Sequence, residues 1–132
     1  MACRSGEAAG QARGLTLRTL ASLERDLRDA LVSPTTFIRW RELPSDTLAW
    51  VEYEGKVVEV AVDPMRGGLI ECVVHELLHA VYAKELARWG VFEEAIVLAI
   101  ERELMSAINM SPRRVKWWRA AIDAKLQPEV DA

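Results

Sequence analysis

Histidine is nearly absent from this chain: two residues in 132. Cysteine is as scarce, and Cys3 and Cys72 stand far apart in sequence, which excludes a disulfide scaffold and fits a reducing compartment. No uninterrupted apolar run approaches the ~20 residues that a membrane-spanning helix needs. The N-terminal residues lack the apolar core of a secretory signal, so a cytoplasmic protein with no membrane partner is expected. An excess of cations is missing too. Lys and Arg number 17 against 20 Asp and Glu, and the formal net charge of −3 argues against a generally nucleic-acid-binding surface. There is no internal repeat and no low-complexity segment.

What is present is a globular composition, 51% hydrophobic and 28% charged, sufficient for one core without disulfides. Residues 1–14, rich in Gly and Ala and without periodicity, read as a flexible tail, leaving 15–132 as a single domain. Thr16 is placed to cap a helix with Leu17, Leu20, Leu23, Leu27, Ala30 and Leu31 on one face, ended by Ser33-Pro34. Thr35 to Glu42 is β-branched and aromatic, a strand. Thr47 to Glu54 and Val57 to Asp63 alternate about Gly55-Lys56, the pattern of a hairpin. Three helices follow. The first runs from about Leu69 to Arg88 or Trp89, with Gly90 just past its end, and the second from Phe92 to Ile108. The third opens with Ser111 as N-cap and Pro112 in its first turn, and extends to about Leu126. The expected fold class is α+β: an N-terminal helix, a small, mostly antiparallel three-stranded sheet, and these three helices. Lys116-Trp117-Trp118-Arg119 reads as a packing segment with cations held at its surface, in preference to a nucleic-acid or membrane contact.

Both histidines fall in one stretch, Val73-Val74-His75-Glu76-Leu77-Leu78-His79-Ala80. On a helix, residues four apart share a face, so both imidazoles can reach one ion. Glu76 projects beside them, where a carboxylate can accept a proton from an activated water. The surrounding residues are apolar on nearly every side, which marks a buried helix. Burying two imidazoles and a carboxylate without partners is costly; a metal resolves that cost, and a dense hydrogen-bond network is the alternative. A third ligand must be acidic or a thiol, because no third histidine exists. Glu93, Glu94, Glu101 and Glu103 lie on the next helix. Ile96, Val97, Ile100, Leu104, Ala107 and Ile108 form its apolar arc, and Glu93 projects into the middle. Glu93 is therefore the expected ligand and Glu94 the alternative; Glu94 and Glu101 share one margin, and Glu103 borders the other. Glu71 is placed to orient His75 from behind, and Cys72 reads as a small hydrophobe.

His75-Glu76-Leu77-Leu78-His79 followed by Glu93-Glu94-Ala95-Ile96 resembles the gluzincin side of the zincin metallopeptidases. It is more closely similar to the small metallopeptidase-like proteins of bacteriophages and prophages. The resemblance covers about residues 35–108 and implies a minimal zincin-like fold. It also implies zinc on His75, His79 and Glu93 or Glu94, with Glu76 as general base in peptide hydrolysis. The gap from His79 to the glutamates is shorter than in thermolysin-like members. Tyr53 and Tyr82 are the only tyrosines, and Tyr82 reads as core. A peptide or protein substrate is the implied partner. The competing reading is a non-catalytic, zinc-stabilised interaction or regulatory protein, with the Trp117-Trp118 region on a partner.

Overall fold

Thr19 opens the first helix. Its hydroxyl accepts the backbone N–H of Ser22 at 3.1 Å, satisfying one of the donors that every helix start leaves unpaired. The computed structural model describes residues 19–44, 47, 49–54, 57–63 and 68–128. The expected cap Thr16 and the tail 1–14 lie outside the described residues. Helix α1 spans Leu20–Val32 and buries Leu23, Leu27 and Leu31, one side chain per turn. Ser33, held in an extended conformation before Pro34, ends it as expected.

Strands β1 (Thr36–Trp40), β2 (Ala49–Glu54) and β3 (Val57–Val62) follow. β2 and β3 pair antiparallel from Ala49 opposite Val62 to Glu54 opposite Val57, the hairpin that the alternation predicts. The sheet is otherwise different from the expectation. It has four strands in the order β2-β3-β1-β4, where β4 is Leu126–Pro128, and it is mixed. β1 runs parallel to β3, from Thr36 opposite Val58 to Trp40 opposite Val62, and β4 runs parallel to β1. Val60, Ala61 and Val62 are buried, so β3 gains most from neighbours on both edges and takes the centre. Seating the hairpin by β3 then puts β2 at the outer edge. β4 is three residues directly after a helix, too short to leave a periodic signal; besides its main-chain pairing, Gln127 accepts from Arg39 of β1 at 2.7 Å.

Helix α2 (Leu69–Val81) carries the histidines and buries Ile70, Val73, Val74, Leu77 and Leu78. It starts at Gly68, whose φ of +64° suits glycine. It packs on β2 and β3 on one side and on α1 and the next long helix on the other. The expected single helix to Arg88 or Trp89 is interrupted at Tyr82, with α3 (Ala83–Ala87) beyond it. Tyr82 is buried, and its hydroxyl donates to Asp26 on α1 at 2.8 Å, so a tertiary tether holds the break. Gly90 has the left-handed φ of +53° expected just past a helix. A 3₁₀ turn (Gly90–Phe92) leads into α4 (Glu93–Asn109), then α5 (Pro112–Lys125). Ser111 caps α5 and Pro112 sits in its first turn, as the sequence predicts.

α5 is fastened to α1 through one buried carboxylate. Glu24 accepts from the Arg114 guanidinium and from the Trp118 indole N–H at 3.1 Å, and forms an ion pair with Arg28 at 3.2 Å. Burial alone pushes the Glu24 carboxyl up, but Arg114, Trp118 and Arg28 outweigh it and hold the group below the ordinary carboxylate range. Trp118 is wholly buried, which makes it a core residue. Among the described residues, no helix is long and apolar enough to cross a membrane.

Candidate metal centre

The facing helices α2 and α4 bring both histidines together with three glutamates. Four-residue spacing on α2 sets the two imidazole rings 5.0 Å apart, centre to centre. On α4, Glu94 and Glu101 are seven residues apart, two turns along one face, and both meet His75. Glu101 accepts from His75 Nδ1 at 2.6 Å, and Glu93 accepts from His79 Nδ1 at 2.6 Å. The remaining ring nitrogens converge. His75 Nε2 and His79 Nε2 each lie 2.9 Å from the same oxygen of Glu94.

Proton accounting makes this convergence informative. A neutral imidazole carries one N–H. If each Nδ1–H is given to its own carboxylate, both Nε2 atoms aim lone pairs at an oxygen that has only lone pairs to offer. Either two further protons or one cation must occupy the space between them. The surroundings favour positive charge. Burial pushes His79 down, yet the bonds to Glu93 and Glu94 and the nearby Glu76 charge carry it above the ordinary histidine range. Glu94 is held below its ordinary range, because its bonds to His79 and the charges of both histidines outweigh its partial burial. His75, His79 and Glu94 thus form a group able to hold a metal ion, with all three ligand atoms within 4.8 Å of one another.

No protein-family model, curated protein or solved structure matches this chain.

A pocket of about 400 Å³ opens beside the group, lined by Thr47 and Ala49 from the β2 side and by His75, Glu76, Glu94 and Leu98. Glu76 faces it with a carboxylate that makes no hydrogen bond among the described residues. Burial raises Glu76 above the usual carboxylate range; the two histidines oppose that rise, and Glu94 and Glu101 add to it. Cys72 lines the same pocket, its thiol pushed up by burial and by the charges of Glu76, Glu71 and Glu101. That shift keeps it a protonated, unreactive thiol, in keeping with the small hydrophobe expected.

The structure brings the expected elements together and places the glutamates differently from the helical projection. Glu93 reaches His79 from behind, at Nδ1, while Glu94 stands where the two Nε2 atoms meet. Both ring nitrogens of His75 are taken by Glu94 and Glu101, so the orienting role expected of Glu71 belongs to Glu101. Glu103 is exposed and takes no part in the group. One physical cause accounts for this. The buried residues of α4 are Val97, Leu104, Met105 and Ile108, an arc turned by roughly 60° from the apolar arc in the sequence. The turn brings the Glu94–Glu101 margin against α2. The seven-residue spacing of Glu94 and Glu101 was the available signal, since two acids on one margin can serve one imidazole from both sides.

Proposed function

We propose that this chain is a zinc-dependent hydrolase of the metallopeptidase type, with His75, His79 and Glu94 as the zinc ligands. One observation carries the reading: two Nε2 atoms face a single carboxylate oxygen while each Nδ1 is bound by a separate glutamate. Two imidazoles and a carboxylate are a donor set that zinc accepts, and it leaves one coordination position open. A bound zinc would supply Lewis-acid activation of a water and of a peptide carbonyl.

The chain's own residues do the rest. Glu93 and Glu101 fix the orientation of the rings and raise the basicity of the nitrogens that bind metal. Glu76, without a hydrogen-bond partner among the described residues and facing the pocket, takes a proton from the attacking water and returns it to the leaving amine nitrogen. β2 is an edge strand beside that pocket, its outer main-chain groups paired with no strand among the described residues, so an extended substrate can pair with it. Such pairing holds a peptide without demanding one side-chain sequence.

The test is Glu76→Gln, which keeps shape and leaves every proposed ligand in place. It should bind zinc and melt like the parent, yet lose chelator-sensitive cleavage of unfolded and peptide substrates by about 10²-fold or more. Equal cleavage in the variant, or cleavage indifferent to chelator, would defeat the mechanism. Zinc binding with no cleavage in the parent would favour the non-catalytic, zinc-stabilised interaction protein.

A further inference from the structure

A second concave surface shares no lining residue with the metal pocket: a groove of about 890 Å³ between α1 and the start of α5. Arg25, Arg28, Arg113 and Arg114 line it, against the carboxylates of Glu24 and Asp29. Positive charge is concentrated here on a chain whose formal net charge is −3. Two of the arginines build the wall. Arg114 is spent on Glu24 and on the Ala107 carbonyl, 3.1 Å away. The Arg28 guanidinium lies over the Trp117 ring at 4.2 Å and pairs with the Glu24 carboxylate at 3.2 Å, and its Nε is buried without an acceptor among the described residues. The other two are uncommitted among the described residues. Arg25 has only a 3.4 Å contact to the Ser22 hydroxyl, and Arg113 has no hydrogen bond or ion pair among the described residues.

Apolar surface runs between these cations. Leu20 and Val32 stand exposed at opposite ends of α1, 36% and 55% accessible. They are twelve residues apart, roughly 18 Å along the helix. That length matches about three helical turns of a partner laid along α1. Trp117, half-buried, lies in the same groove. A nucleic acid fits it poorly. The Trp117 ring already carries Arg28, with the Trp118 ring edge-on at 5.4 Å, so it offers little platform for a base. Exposed leucine and valine give nothing to a phosphate.

We propose that this groove docks an acidic amphipathic helix of a partner protein, its apolar face on Leu20 and Val32 and its carboxylates on Arg25 and Arg113. Arg28, fixed by its stacking and by Glu24, presents a cation that needs no further ordering when the partner arrives. Charge complementarity sets the partner's sign, and the apolar ends of the groove exclude a simple polyanion.

The experiment uses the full chain and two synthetic helical peptides of equal charge: one with leucines on one face and glutamates elsewhere, and one with the leucines replaced by serine. Fluorescence anisotropy should show binding of the first peptide, weakened by salt. The serine peptide should bind at least about tenfold more weakly, because it lacks the apolar face. Arg25→Glu with Arg113→Glu, both at exposed positions, should lower affinity for the first peptide by about tenfold or more at unchanged melting temperature. Failure of the leucine–glutamate peptide to bind would overturn the proposal. So would equal binding of the two peptides, an unaffected double variant, or tighter binding of a single-stranded oligonucleotide at the same groove.

Discussion

Glu94→Ala, compared with Glu93→Ala and Glu101→Ala, separates the proposed metal ligand from the groups behind it. Glu94 offers the one oxygen that both Nε2 atoms face at 2.9 Å, and its side chain is 62% exposed. Removing it leaves no buried cavity, so a change in metal affinity is not confounded by collapse of the core. Glu93 and Glu101 are different. Each accepts from an Nδ1 at 2.6 Å, so its loss frees a ring to rotate and lowers the basicity of the nitrogen across that ring. Losses of this kind cost about 10–100-fold in metal affinity. Loss of Glu94 should exceed that range, because a coordination bond disappears along with the charge beside the ion. The assay is competition for zinc against a chromogenic chelator at neutral pH, with a thermal melt of each variant. The expected order of affinity loss is Glu94 greatest, with Glu93 and Glu101 comparable and smaller. The largest loss at Glu93 would instead make it the ligand and require His79 to turn over. No loss at Glu101 would refute the claim that it orients His75.

Two further expectations concern the scaffold. Glu24 has a folded pKa below its ordinary value, so the stability it contributes is fully present above pH about 4.5 and is lost as pH falls through the folded value. Glu24→Gln should therefore lower stability at neutral pH by about 1–3 kcal/mol and flatten the acid limb, read from denaturant melts across pH; an unchanged acid limb would place the linkage elsewhere. Tyr82→Phe removes the 2.8 Å bond to Asp26 from a buried ring and should cost about 1 kcal/mol in a denaturant melt, with zinc affinity unchanged. A change in zinc affinity would instead tie Tyr82 to the metal centre.

Local chemistry made much of the chain legible beforehand. The leucine periodicity of α1, the alternation of the β2–β3 hairpin, the Ser111-Pro112 start of α5 and the left-handed glycine at position 90 each depend on residues within a few positions of one another. The pairing of His75 with His79 is of the same kind, since a helix repeats every 3.6 residues whatever surrounds it. Three features could not be read that way. The parallel seating of β1 against β3 follows from which strand gains most from burial on both edges, a property of the assembled sheet. β4 exists because β1 had an edge to pair, and three residues carry no pattern of their own. The roles of Glu93, Glu94 and Glu101 depend on the rotation of α4 about its axis. Hydropathy averages over that helix and centres its apolar arc on Glu93. Packing answers to particular contacts, and two imidazoles on α2 can compensate half-buried carboxylates that hydropathy counts only as a penalty. Spacing along the chain therefore limits which residues can carry the chemistry. Which oxygen stands between the two rings depends on a rotation set by the neighbouring helix, and that rotation is a property of the packed molecule.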